Sequence, residues 1–305
     1  MAAALLAGCG APGERAAPDR DHAAAPPASS AEASRRLEPE TPCPTLSGIT
    51  PLPLPLRETS GLAASRRHRG VLWTLNDSGS TPDVFAIDTA GRLLGRVRVT
   101  GASNFDWEDI ALAPCPGGDC LYIADTGDNA EDRAGMVVYR IPEPAPADGV
   151  SRPAQAFPVV YPDRPRDTEA LFVTDAGRIY LVSKGRRDAV SVWRYPGSPV
   201  PGRRRTLEPV QSLTPGKVEL PDLVTGASLR GTTVAIRSYT GLRLYRLTQR
   251  GTLAPLADSA TSLAPLAEPQ GEGVALGDDG ALWFTSEAGP GGTQGTLSRG
   301  ICRLP

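Results

Sequence analysis

One short phrase of apolar and polar positions recurs along the chain. It opens on a small or acidic residue, admits any residue next, then an apolar one and two more that are small or apolar. Copies begin at Ser60, Glu108, Glu169, Thr225 and Glu272, in steps of 48, 61, 56 and 47 residues. Behind each lies a second apolar run that closes on a polar residue: Asn76, Asp125, Ser183, Ser238 and Ser286. A third run follows in every unit, around Val84–Ile87, Val137–Ile141, Val192–Tyr195, Leu244–Leu247 and Ile301–Leu304. Looser fourth runs lie near Leu93–Val99, Phe157–Tyr161, Thr206–Leu213 and Thr252–Leu256. Turn signals such as Asp175-Ala176-Gly177 and Asp278-Asp279-Gly280 join the first run to the second. Four short strands repeated about every fifty residues predict the blades of a β-propeller. An ordinary β-sandwich does not place the same three strands in register five times.

The count predicts an all-β, five-bladed β-propeller rather than a six-bladed one. The fifth unit lacks a fourth strand because the sequence stops, and Ile49–Leu56, ahead of the first repeat, is expected to supply it as an N-terminal outer strand. The long second step contains Pro142–Pro153, which reads as an insertion within a blade. With 33 Gly and 31 Pro, the chain is punctuated too often for long helices. The formal net charge of −2 gives no basic footprint for nucleic acid, and Arg203-Arg204-Arg205 reads as a solvated loop. No apolar run is long enough to span a membrane.

The chain thus divides into 1–9, a signal remnant with a lipobox; 10–42, a disordered tether; and 43–305, the propeller. Leu6-Ala7-Gly8-Cys9 has the small residues that precede an acylated cysteine, so Cys9 is the expected lipidation site. Only eight residues precede it and none is basic, short of the roughly 15–30 of a signal peptide; the start codon is placed too late or the match is accidental. Gly10 to Pro42 is Ala, Pro, Ser and alternating charge, without a hydrophobic period. The four remaining cysteines suit disulfides in an oxidising compartment. Cys115 and Cys120 flank a tight turn. Cys43 and Cys302 flank the expected closure, where a bridge would lock the ring. The expected setting is extracytoplasmic, on a cell surface or in a periplasm, with membrane contact only through the lipid. The expected protein is a monomer with a small ligand or protein as partner.

Trp107-Glu108-Asp109-Ile110, Val224-Thr225-Gly226-Ala227 and Glu272-Gly273-Val274-Ala275 with Leu282–Glu287 resemble the SdiA-regulated family of extracytoplasmic propellers. The likeness runs from about Ser60 to Leu304 and implies a periplasmic or surface propeller, with no settled biochemical role. More distantly the chain is similar to esterase-like domains associated with phytases and to calcium-dependent lactonase propellers.

In a propeller the first strand starts, and the second ends, at one face of the ring. Two polar columns should therefore meet on one rim, joined by Asp77, Asp106, Asp109, Asp167 and Glu287. Carboxylates converging on one axis repel unless a cation or protons neutralise them, and oxygen-only ligands suit a hard ion such as calcium. The ligand set expected is Glu108, Glu169, Glu272, Asn76 and Asp125. The competing reading makes the acids clasps that hold backbone amides of the next blade. Asp125–Asn129 is a second candidate loop, competing with a plain Asx turn. Lys184, Arg186, Arg187 and Arg237 either hold an anionic substrate or are solvated loop charges. Only His22 and His68 are present. Neither is expected at the rim, which disfavours a histidine general base. No catalytic signature is found. The function expected is a binding or scaffold module with calcium at its centre, against a metal-dependent hydrolase of an ester, lactone or phosphate.

Overall fold

Each repeat folds into an antiparallel sheet because its strands alternate Val, Leu, Ile and aromatic side chains to both faces. The structure, a computed structural model, describes residues 43, 45–257, 259–277, 280–292 and 294–302. Cys9, the segment 10–42, His22 and the turn residues Asp278 and Asp279 lie outside the described residues. In the first blade, Thr59–Ala64, Val71–Asn76, Asp83–Asp88 and Leu93–Arg98 run from axis to edge. The later blades repeat this order from innermost strands Trp107–Cys115, Thr168–Val173, Val224–Arg230 and Gln270–Leu276. The result is a five-bladed all-β propeller.

Both faces of every blade are buried, since five apolar clusters fill the five gaps between neighbouring sheets. Trp73 and Trp107 share the gap between the first and second blades; Phe172 and Val234 share that between the third and fourth. A fully buried side chain of this kind contributes about 1.5–3 kcal/mol.

The closing strand is shifted from the expected one. Thr45–Pro51 pairs antiparallel with Thr296–Ile301, the third strand of the fifth blade. Pro51, Pro53 and Pro55 lack amide donors and so end that strand. Leu54–Leu56 turns into a 3₁₀ helix, while Leu52 and Leu56 pack between the fifth and first blades. The third strand of that blade also begins earlier than expected, and Arg303 and Leu304 lie outside the described residues. Disulfides join Cys43 to Cys302 and Cys115 to Cys120. The insertion after Pro142 does not stay within its blade: Gly149–Val150 adds a parallel outer strand to the first blade.

Candidate metal centre on the rim of the propeller

Every innermost strand carries a register irregularity at its start. Pairing skips Glu108, Glu169 and Thr225, and slips across Ser60-Gly61 and Glu272-Gly273. A β-bulge leaves its extra residue unpaired and re-aims its side chain. The recurring first column of the repeat is therefore the set of bulge residues at the rim.

One residue further on, the chain closes the axis. Gly61, Ala170, Gly226 and Gly273 are small there, and the second blade places Asp109 in the space they leave. A Cβ on Gly61 would meet Asp109 Oδ1 at 2.5 Å. The amides of Leu171 and Ala227 donate to Asp109 Oδ2 at 2.8 and 3.1 Å, and that of Ile110 donates to Oδ1 at 2.8 Å. The Leu62 amide bonds the same carboxylate. Burial pushes the Asp109 pKa well up, against these four amides, which pull it down. The remaining clasps are hydroxyls. Ser60 Oγ donates to the Glu108 carbonyl, Thr126 Oγ1 to Thr168 O at 2.7 Å, Thr225 Oγ1 to Glu272 O at 3.0 Å and Thr285 Oγ1 to Ser60 O at 2.7 Å. Among the described residues the carboxylates of Glu108, Glu169 and Glu272 accept no backbone amide. The clasps are these hydroxyls and Asp109, not the glutamates.

The acids instead gather into two groups that share Glu108. Asp77, Asp106 and Glu108 bring one oxygen each within 4.8 Å of one another, and so do Glu108, Asp167 and Glu169. The first group is open to solvent at Asp77 and Asp106; the second is fully buried. Gly127 permits the first, because a Cβ there would collide with Glu108 Oε1 and Asp106 Oδ2. Glu272 stands beside them, taking the Gln270 amide at 2.9 Å, and Gln270 also donates to Glu287.

Crowding leaves these groups reluctant to ionise. Burial, reinforced by Asp77, pushes Asp106 up to about 6. Burial and the nearby Asp77 and Glu58 carry Glu287 to about 7. Burial and Asp167 take Glu169 to about 8, against the pull of Lys184. Glu108 and Glu272 are also raised well above the carboxylate range, by burial first and Glu169 second. Burial and Glu272 lift the Tyr239 phenol to about 12.

Two of the residues expected as ligands are engaged elsewhere. The Asn76 amide donates to Pro55 O at 2.6 Å. Asp125 accepts the amides of Phe105 and Asp106 and pairs with Arg133 at 2.9 Å. Adjacent strand positions face opposite ways, so Asp77, just past Asn76, reaches the acidic group that Asn76 does not. The Asp125–Asn129 loop is a turn in which Asp128 accepts the amides of Asp132 and Arg133 at 3.0 and 2.9 Å.

Of the basic residues, Lys184 and Arg237 are buried, whereas Arg186 is half-buried and Arg187 exposed. Lys184 is buried at 5 % exposure, with Nζ 2.7 Å from Glu169 Oε1 and 3.6 Å from Asp167 Oδ2. Although burial alone would lower it, Glu169 and Asp167 hold the Lys184 pKa above its usual value. Arg237 is wholly buried, donating to Gly273 O and Thr285 O at 2.8 and 3.1 Å and pairing with Glu268. Arg186 reaches Asp167 at 4.0 Å and Arg187 reaches Glu131 at 3.9 Å. His68 sits in the turn joining the first two strands of the first blade, at the opposite face.

No protein-family model matches the sequence, and no curated protein sequence does. Solved structures do match in fold. A PQQ-bound aldose sugar dehydrogenase from Streptomyces coelicolor is 16 % identical, with 84 % of this chain and 98 % of that one covered and a TM-score of 0.47. The calcium-binding protein regucalcin from Agrobacterium tumefaciens strain C58 is 13 % identical over 85 % and 96 %, at 0.44. A gluconolactonase from Xanthomonas campestris is 13 % identical over 79 % and 72 %, at 0.40. At these identities the likeness is one of architecture.

Proposed function

We propose that this chain is an extracytoplasmic binding module, anchored by lipid at Cys9, that holds a calcium-type cation on one face of the propeller. The observation that carries the reading is the Asp77, Asp106 and Glu108 group. Its three carboxylates face one another, reached by solvent through the half-buried Asp77 and Asp106 while Glu108 is buried, and among the described residues no ion pair reaches them. Three oxygens with the rest of the sphere left to water or a ligand suit a hard, flexible ion. The glutamates' freedom from clasping supports a ligand role over a structural one. The cation's open positions would present it to an oxygen-bearing partner. Two disulfides suit an oxidising compartment, and the short blade motifs resembling the SdiA-regulated family support the same setting.

Calcium should raise the melting temperature of chelator-treated protein, since a ligand of the folded state alone stabilises it by mass action, about 2.7 kcal/mol at a hundred times Kd. Glu108→Gln removes the carboxylate common to both groups and should abolish most of that shift. An equal calcium shift in wild type and Glu108→Gln, followed by differential scanning fluorimetry, would place the ion elsewhere.

The anchor is tested separately. Metabolic labelling with a fatty-acid analogue should mark the wild type and leave Cys9→Ala unmarked; label retained in the mutant ends the lipoprotein reading.

A further inference from the structure

Two acidic groups joined at Glu108 could in principle take two ions, yet they differ in what already stands beside them. The Asp77, Asp106 and Glu108 group has no basic side chain in ion-pair contact among the described residues. The other holds Lys184, whose ammonium lies 2.7 Å from Glu169 and 3.6 Å from Asp167. That ammonium is buried, carried on the residue just after the second strand of the third blade, and its backbone is tied on both sides. Its amide donates to Asp167 O at 2.9 Å and its carbonyl accepts the Val224 amide at 3.0 Å. The side chain thus starts from a fixed point and ends among carboxylates.

Asp167 Oδ2 is the second observation. It belongs to a residue 1 % exposed and has no hydrogen-bond partner, while Asp167 Oδ1 accepts the Asp128 amide at 2.9 Å. Such an oxygen, dry and without a hydrogen bond, is costly unless a positive charge stands near. At 3.6 Å, the buried Lys184 ammonium supplies most of that charge without completing a bond, with the more exposed Arg186 guanidinium farther off at 4.0 Å.

Resting on the cation reading above, we propose that Lys184 is a built-in counter-ion for the Asp167 and Glu169 site, so that the rim takes one divalent cation rather than two. The ammonium and a divalent ion would compete for the same oxygens. Bringing both within reach of Glu169 would place like charges in a dry site, where repulsion is weakly screened. Lys184 therefore sets the stoichiometry of the rim and directs the ion to the solvent-open triad.

Terbium, a luminescent stand-in for calcium, tests this by titration and by its anomalous scattering. Wild type should bind one ion, with a single peak at Asp77, Asp106 and Glu108. Lys184→Met removes the charge at similar length and should bind two. Lys184→Met combined with Glu169→Gln should return to one, and Lys184→Arg should remain at one. A wild-type peak against Asp167 with the ammonium displaced overturns the inference, as does a folded Lys184→Met that still binds one ion. If Lys184→Met does not fold, the wild-type peak position decides alone. Absence of any bound ion in wild type overturns the cation reading itself, an outcome distinct from the others.

Discussion

Asparagine at position 109 is expected to lower the unfolding free energy by about 2–6 kcal/mol, a large part of a typical protein's stability. The Asp109 oxygens accept amides at the axis: Leu171 and Ala227 on one, Ile110 on the other, with Leu62 completing the set. An asparagine turns one oxygen into a donor. Whichever way its amide lies, buried N–H groups then face an N–H, at about 1–3 kcal/mol each. Four of the five blades are tied at this point, so the loss loosens the ring and not merely one strand. Urea unfolding with chelator present isolates the effect from any ion. A loss below about 1 kcal/mol would show that the carboxylate is a passive filler of the axis.

Without a divalent cation, the protein should become less stable as pH rises from about 5 to 8. Asp106, Glu287 and Glu169 keep their protons in the folded state to about 6, 7 and 8, held up by burial and by one another. The unfolded chain ionises such groups near 4, so over this window the folded state binds more protons and stability falls with pH. Asp83 and Asp163 are shifted the other way, Asp163 chiefly by its Arg166 bond and Asp83 by Arg98 and Thr81 against burial. Their contribution is lost only as pH falls through the acid range, so they leave this window untouched. Allowing for screening at half-exposed Asp106, a decline of about 2–4 kcal/mol is expected, on the order of 10 °C in Tm. Millimolar calcium should flatten the decline, because the ion binds the deprotonated form. A chelated protein whose Tm is level or rises across that window would contradict the crowded-carboxylate picture.

The propeller was legible because its repeat is written in local pattern. Alternation of apolar positions marks strands, glycine turns separate them, and the phrase beginning at Ser60, Glu108, Glu169, Thr225 and Glu272 marks each bulge. The closure was legible in outline, and its register was missed where prolines at 51, 53 and 55 end the strand early. Lys184 was misread for a different reason. A lysine followed by Gly185, Arg186 and Arg187 looks like loop charge, and nothing in a linear pattern shows that its ammonium lies among acids from other blades. Beside the rim positions Asp77 and Asp106, Gly127 was a further signal for the open triad, since a glycine amid Asp125–Asn129 marks a close approach.

The sequence alone determined the three inner strands of each blade, the five-fold count and the convergence of acids on one rim, because those follow from short-range periodicity and strand direction; the extra outer strands, such as Gly149–Val150 on the first blade, did not show in it. Only the tertiary structure decided which acids meet. Asp77, Asp106 and Asp167 enter the groups while Asn76 and Asp125 turn to Pro55 and Arg133, and Asp109 crosses the axis to amides from other blades. A bulge or one residue past a strand end reverses where a side chain points. The resulting contacts span residues dozens to more than a hundred positions apart, a distance over which local pattern carries no geometry.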